Sequence, residues 1–152
     1  MPNRRKFSAW WDEVDYLYFK AGHWIYEREM RGRARPFVKR LKRILAGRNV
    51  GSGPIMALEA QCLIADFQKD YKSEIHHKRQ LVNVLRRLMR IHTDEPGYGP
   101  SGAVSEMEIL ATLLEEDGQR AKALNVVEEC RSFAKQYGVK FHEARLRKLI
   151  LE

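Results

Sequence analysis

What most constrains this chain is a spacing. Its apolar residues recur at steps of three and four, and they do not alternate for more than a few positions anywhere. Steps of three and four place side chains on one face of an α-helix, whereas a half-buried strand needs strict alternation. The first such row, Trp10, Trp11, Val14, Leu17, Ala21, Trp24 and Ile25, predicts a helix over 9–31. Ser8 is placed to cap it, and Asp12 and Glu13 fall in the first turn, where the helix dipole favours acids. Gly22 is the weak point in the middle, and Gly32 is the expected stop.

A second, shorter helix is predicted over 36–46, opening on Pro36 and ending at Gly47. At about 100° per residue, Phe37, Val38, Leu41, Ile44 and Leu45 fall within an arc of about 120°. Lys39, Arg40, Lys42 and Arg43 fill the opposite side. The glycine-rich stretch GRNVGSGP, 47–54, marks the main break, dividing an aromatic and basic segment (1–50) from a hairpin region (51–152), with the two expected to pack as one domain. Beyond it the pattern predicts two helix pairs, 55–70 with 73–92 and 104–117 with 119–136. TDEPGYGPSG, 93–102, separates the pairs, Gly118 joins the second, and Gly138 ends it. FHEARLRKLILE reads as a last short helix. The expected fold is therefore all-α, with six to seven helices and no strand.

The second pair resembles a tetratricopeptide repeat over about 34 residues. Leu110 and Ala111 stand at the family's leucine–small pair, Gly118 at its turn and Ala123 at the small residue of the second helix. Met107, Leu114, Val127 and Lys135 depart from the family's aromatic, tyrosine, phenylalanine and proline. Over 58–91 the match is by analogy of the hairpin, because Lys72 replaces the turn glycine and His77 the small residue. The resemblance implies that the first helix of a pair lines a concave groove for a partner peptide. By position, Ser105, Glu108, Thr112, Glu115 and Glu116 would face it, making an acidic groove for a basic or amide-rich ligand. The aromatic N-terminal helix would then cap a short array.

Catalytic and metal signatures are sparse. Cys62 and Cys130 lie 68 positions apart, each inside an apolar helical pattern, and read as buried thiols. Glu74 and His77 make a single Glu-x-x-His where a di-iron bundle needs two copies with two further glutamates. His23 and Glu27 supply only two ligands one turn apart, and zinc needs three or four. GRNVGSGP ends in Gly-Pro where a phosphate-binding loop would carry Gly-Lys-Ser/Thr. The chain is thus expected to be non-enzymatic, with no cofactor and no metal. No apolar run is long enough for a membrane-spanning helix, and the basic start MPNRRKF lacks an apolar stretch behind it, so a cytoplasmic location is expected.

What remains is charge. The chain carries +8 in total, and residues 1–50 hold 13 basic against 5 acidic side chains, which accounts for all of that excess. It peaks in REMRGRARPFVKRLKRILAGR, 28–48, where nine Arg or Lys meet one acid. Arg31, Arg33, Arg35, Lys39, Arg40, Lys42 and Arg43 are the candidate residues for an anionic partner. The first functional expectation is an adaptor that recognises a protein partner, with the strip docking on an acidic surface. The second is contact with RNA or DNA without base specificity, since no helix-turn-helix or zinc-finger spacing is present. A third places the strip on the acidic helix at 105–117, in the same chain or in the neighbour of a homodimer, and in the plainest case the apolar face packs into the core and the basic side is only hydrated. A membrane surface is the weakest, because the apolar side of the 36–46 helix is fit for burial.

Overall fold

The computed structural model describes residues 9–48, 55–91, 99–143 and Leu146. The expected Ser8 cap, the 49–54 linker and most of the last short helix lie outside those residues. The described chain is all-α and contains no strand. In order come α1 (Trp10–Gly22), a π-helical turn (His23–Glu27), α2 (Arg31–Leu45), α3 (Ile55–Phe67), α4 (Tyr71–Ile91), α5 (Pro100–Glu116) and α6 (Arg120–Tyr137). The chain divides into two compact units, residues 1–74 and 75–152. The boundary falls inside α4, and α3, grouped by sequence with the later hairpins, belongs to the first unit.

The long helix expected over 9–31 is shorter and ends differently. α1 proper stops at Gly22, and the chain widens into the π turn, where the Arg28 N–H reaches the His23 carbonyl at 3.0 Å. Glu29 then takes a left-handed φ of 52°, and the Met30 N–H closes on the Trp24 carbonyl at 2.7 Å. These bonds satisfy carbonyls that the helix end would otherwise orphan. The stop is therefore made by Glu29, not by Gly32.

Gly32 lies inside α2, which starts five residues before Pro36. The proline sits in the second turn and has no N–H to offer the Gly32 carbonyl, so α2 carries a gap in its ladder there. Sequence rules place proline in the first turn, and that misplaced the start. Burial explains the longer helix. Ala34 is fully buried and, with Val38, Leu41 and Leu45, continues the apolar row backward by one turn.

That row, with Val14, Leu17, Ala21 and Ile25 before it and Ala57, Ala60, Leu63 and Ile64 of α3, forms the core of the first unit. Trp10, Trp24, Phe37 and Phe67 pack around its rim. Fully burying a leucine such as Leu41 contributes roughly 1.5–3 kcal/mol. The alanines let the three helices approach closely.

In the second unit α5 and α6 pack as a hairpin across a turn of left-handed Gly118 (φ 76°). The Gln119 N–H reaches the Leu114 carbonyl at 2.8 Å and the Gly118 N–H that of Glu115 at 3.0 Å, a paired closure of the α5 end. α5 begins at Pro100, inside the stretch read as a break, because proline is favoured at a first helical position. From α4, Lys78 bonds Glu106 at 2.7 Å, while Arg79 and Arg86 both reach Glu129 at 3.1 Å. These ion pairs fasten α4 to α5 and α6.

Candidate anion-binding face

Among the described helices, α2 alone has no acidic side chain, and its seven basic residues fall into two groups. The first group is tied down. Arg31 donates through Nη2 to the Asp66 and Phe67 carbonyls, at 3.0 and 3.2 Å, and lies 5.6 Å over the Phe67 ring. It thereby caps the negative end of α3. Arg33 lies 4.9 Å over Trp24. Arg40 grips Glu13 of α1 with two bonds, Nε at 2.8 Å and Nη2 at 3.4 Å. That carboxylate, first as hydrogen-bond acceptor and then as charge, raises the affinity of the guanidinium for its proton further. Just beyond the helix, Arg48 bonds the Ile44 carbonyl at 2.7 Å and covers Trp10 at 4.6 Å.

The second group is Arg35, Lys39, Lys42 and Arg43. All four are exposed, and none makes a hydrogen bond or ion pair with a described residue. At about 100° per residue, Lys42, Arg35, Lys39 and Arg43 follow one another over an arc of about 100°. The arc points away from the buried row of Ala34, Val38, Leu41 and Leu45. Packing of that row leaves only the basic side of α2 to solvent, and the tied arginines hold the helix at its edges. Neither Arg31 on α3, Arg33 on Trp24 nor Arg40 on Glu13 had a signal in the local sequence, since these partners lie 9 to 36 positions away.

The five residues expected to line a peptide groove do lie along one side of α5, but they are not alike. Ser105 is partly exposed, and Thr112 and Glu116 are exposed, the Thr112 hydroxyl donating to the Glu108 carbonyl at 3.0 Å. Glu115 pairs with Arg120 at 3.4 Å. Glu108 is only 3% exposed, and its Oε1 accepts from the His142 backbone N–H at 3.2 Å and from His142 Nδ1 at 2.7 Å. The chain folds back after Gly138 and supplies its own amide and imidazole, so Glu108 points inward and is not offered to a peptide. His142 had no place in the sequence reading, and nothing near it in sequence marks the contact.

Beside this pair, Cys130 is fully buried, with its Sγ 3.7 Å from the Val104 carbonyl. Burial, aided by the Glu108 carboxylate, pushes its thiol up to about 12. It is the opposite of an activated nucleophile. Among the described residues no group of three or more His, Cys, Asp or Glu is placed to hold a metal, and no helix is long and apolar enough to cross a membrane.

No family model, curated protein or solved structure matches this chain.

Proposed function

We propose that this protein is a non-enzymatic interaction module that takes an anionic partner on the outer face of α2. One observation supports the reading: Arg35, Lys39, Lys42 and Arg43 stand exposed, with no ion pair or hydrogen bond to any described residue, on a helix whose opposite face is locked into a core. Four like charges repel one another, and an isolated domain gains nothing in stability from gathering them. Water hydrates them, but an acidic partner would also relieve their mutual repulsion. The other end of the expectation, an acidic peptide groove on α5, has less support, because Glu108 and Glu115 already serve His142 and Arg120. Within this reading α5–α6 is a tetratricopeptide-like hairpin used as scaffold. Complete burial of Ala111 and Ala123, the small residues of that pattern, supports it.

Retention on heparin tests the proposal. The variant with Arg35→Gln, Lys39→Gln, Lys42→Gln and Arg43→Gln should elute at clearly lower salt than the parent. A variant with the same number of charges removed elsewhere, Lys122→Gln, Arg131→Gln, Lys135→Gln and Lys140→Gln, should elute close to the parent. Equal losses in the two variants would reduce the strip to a share of the net charge, and the proposal would fail.

A further inference from the structure

We infer that the partner of this face is the phosphate backbone of a nucleic acid, held without reading base sequence. This inference rests on the anion-binding role proposed above and names the class of anion. Along α2, Arg35, Lys39 and Arg43 are spaced four residues apart, so their charges advance in steps of about 6 Å. Lys42 stands beside this row, one turn from Lys39. The row is regular, drifting about 40° round the helix at each step, and no carboxylate on α2 interrupts it. A polyanion with evenly repeated charges matches such a row better than a folded acidic surface with scattered ones.

The composition of the arc points the same way. Within α2 only Gly32 lies among the four cations, and no exposed aromatic or large apolar side chain does. Protein interfaces draw their affinity from buried aromatic, aliphatic or arginine anchors in a dry centre, and lysine is depleted there. The α2 face offers no aromatic or large aliphatic anchor for such a centre, and its two arginines, Arg35 and Arg43, stand beside lysines with no apolar surround. A phosphate chain needs none, because each cation that neutralises a phosphate releases a condensed counterion, and this release drives binding.

A lipid surface fits less well. An interfacial helix must insert its apolar side, and Val38, Leu41, Ile44 and Leu45 are already buried in the first unit. The exposed rings Trp11 and Phe19 project from α1 and lie outside the arc. The arc lacks the Asn or Gln that would read adenine and the aromatic side chains that would stack on bases; its arginines and lysines could reach guanine, but in this inference they meet phosphate oxygens, which carry no sequence information.

The test uses the full chain and fluorescence anisotropy with labelled single-stranded RNA, single-stranded DNA and duplex DNA of about 20 nucleotides or base pairs, over about 50–300 mM salt. Poly-glutamate of similar charge and phosphatidylserine vesicles serve as the other anions. Four phosphate contacts predict a slope of log K against log salt of about −3 on single strands and about −3.6 on duplex. Affinity should fall about 50- to 150-fold between 50 and 200 mM salt, and each single change to Gln should flatten the slope by about 0.7–0.9. Oligonucleotides of unrelated sequence should bind within a fewfold of one another.

Heparin retention that depends on the four cations, with poly-glutamate or vesicles bound as tightly as the oligonucleotides, overturns this inference and leaves the anion-binding role standing. Strong preference for one base sequence also overturns it. Heparin retention indifferent to the four cations removes both. Melting temperatures of the variants confirm that each arm compares folded chains.

Discussion

Among the described residues, two hold backbone conformations that their side chains resist. Glu29 (φ 52°) and Lys69 (φ 56°) are left-handed, and each lies at the end of a helical segment. At Lys69 the motif is complete: its own N–H meets the Asp66 carbonyl at 3.0 Å and the Asp70 N–H meets the Ala65 carbonyl at 2.9 Å. A side chain costs energy in that region and glycine does not. Glu29→Gly and Lys69→Gly should therefore each stabilise the protein by about 0.5–1 kcal/mol in urea unfolding, after subtraction of the extra freedom of the unfolded glycine. A loss of similar size would show that the side chains contribute more than the strain costs. Cys130 makes a prediction of opposite sign with pH. In the folded chain its thiol holds its proton up to about pH 12, whereas the unfolded thiol ionises near about 8.5. The folded state keeps a proton that the unfolded state has lost, so stability is intact below that lower value and declines as pH rises toward 12. Cys130→Ala should be less stable at neutral pH but show a flatter decline between about pH 8.5 and 11.

Among the elements, α2 is the one whose form matters to the proposed role. Pro36 interrupts its ladder one residue past Arg35, the first of the four exposed cations. Pro36→Ala restores a donor for the Gly32 carbonyl and removes the clash with the preceding turn. The gain should be about 1–3 kcal/mol, read as a higher unfolding midpoint and slower amide exchange over 32–40. No gain would mean that the first turn of α2 is held by Arg31 and Arg33 regardless of its ladder. At the start of α4, Asp70 accepts from the Ser73 N–H at 3.2 Å and from the Ser73 hydroxyl at 2.7 Å. One residue thus helps close α3 and caps α4, which keeps the connection to three residues.

At the scale of the molecule, the proposed binding would be linked to folding through the core under α2. Leu41 is fully buried among α1, α2 and α3. Leu41→Ala should cost about 2–5 kcal/mol, because the site can collapse only in part around the cavity. Since the same residue seats the helix that carries the four cations, the variant should also lose anion affinity as the first unit loosens. Unfolding followed by tryptophan emission will report that unit, since Trp10, Trp11 and Trp24 all belong to it. An affinity that survives loss of the Leu41 contact would show that the basic stretch binds as an unstructured chain.

Helical class, the faces of α2 and α5, the glycine ends at Gly118 and Gly138, and the excess of positive charge before residue 50 were all decided by the sequence, because each depends on neighbours within one or two helical turns. The tertiary structure alone decided which cations of α2 are engaged by described residues and which are not. Arg31, Arg33 and Arg40 look like Arg35 and Lys39 in the sequence, and only packing brings Phe67, Trp24 and Glu13 to the first three. It also turned Glu108 from a groove residue into a buried acceptor by returning His142 across 34 positions. Local pattern fixes which face a side chain occupies, but not what the rest of the chain lays against that face.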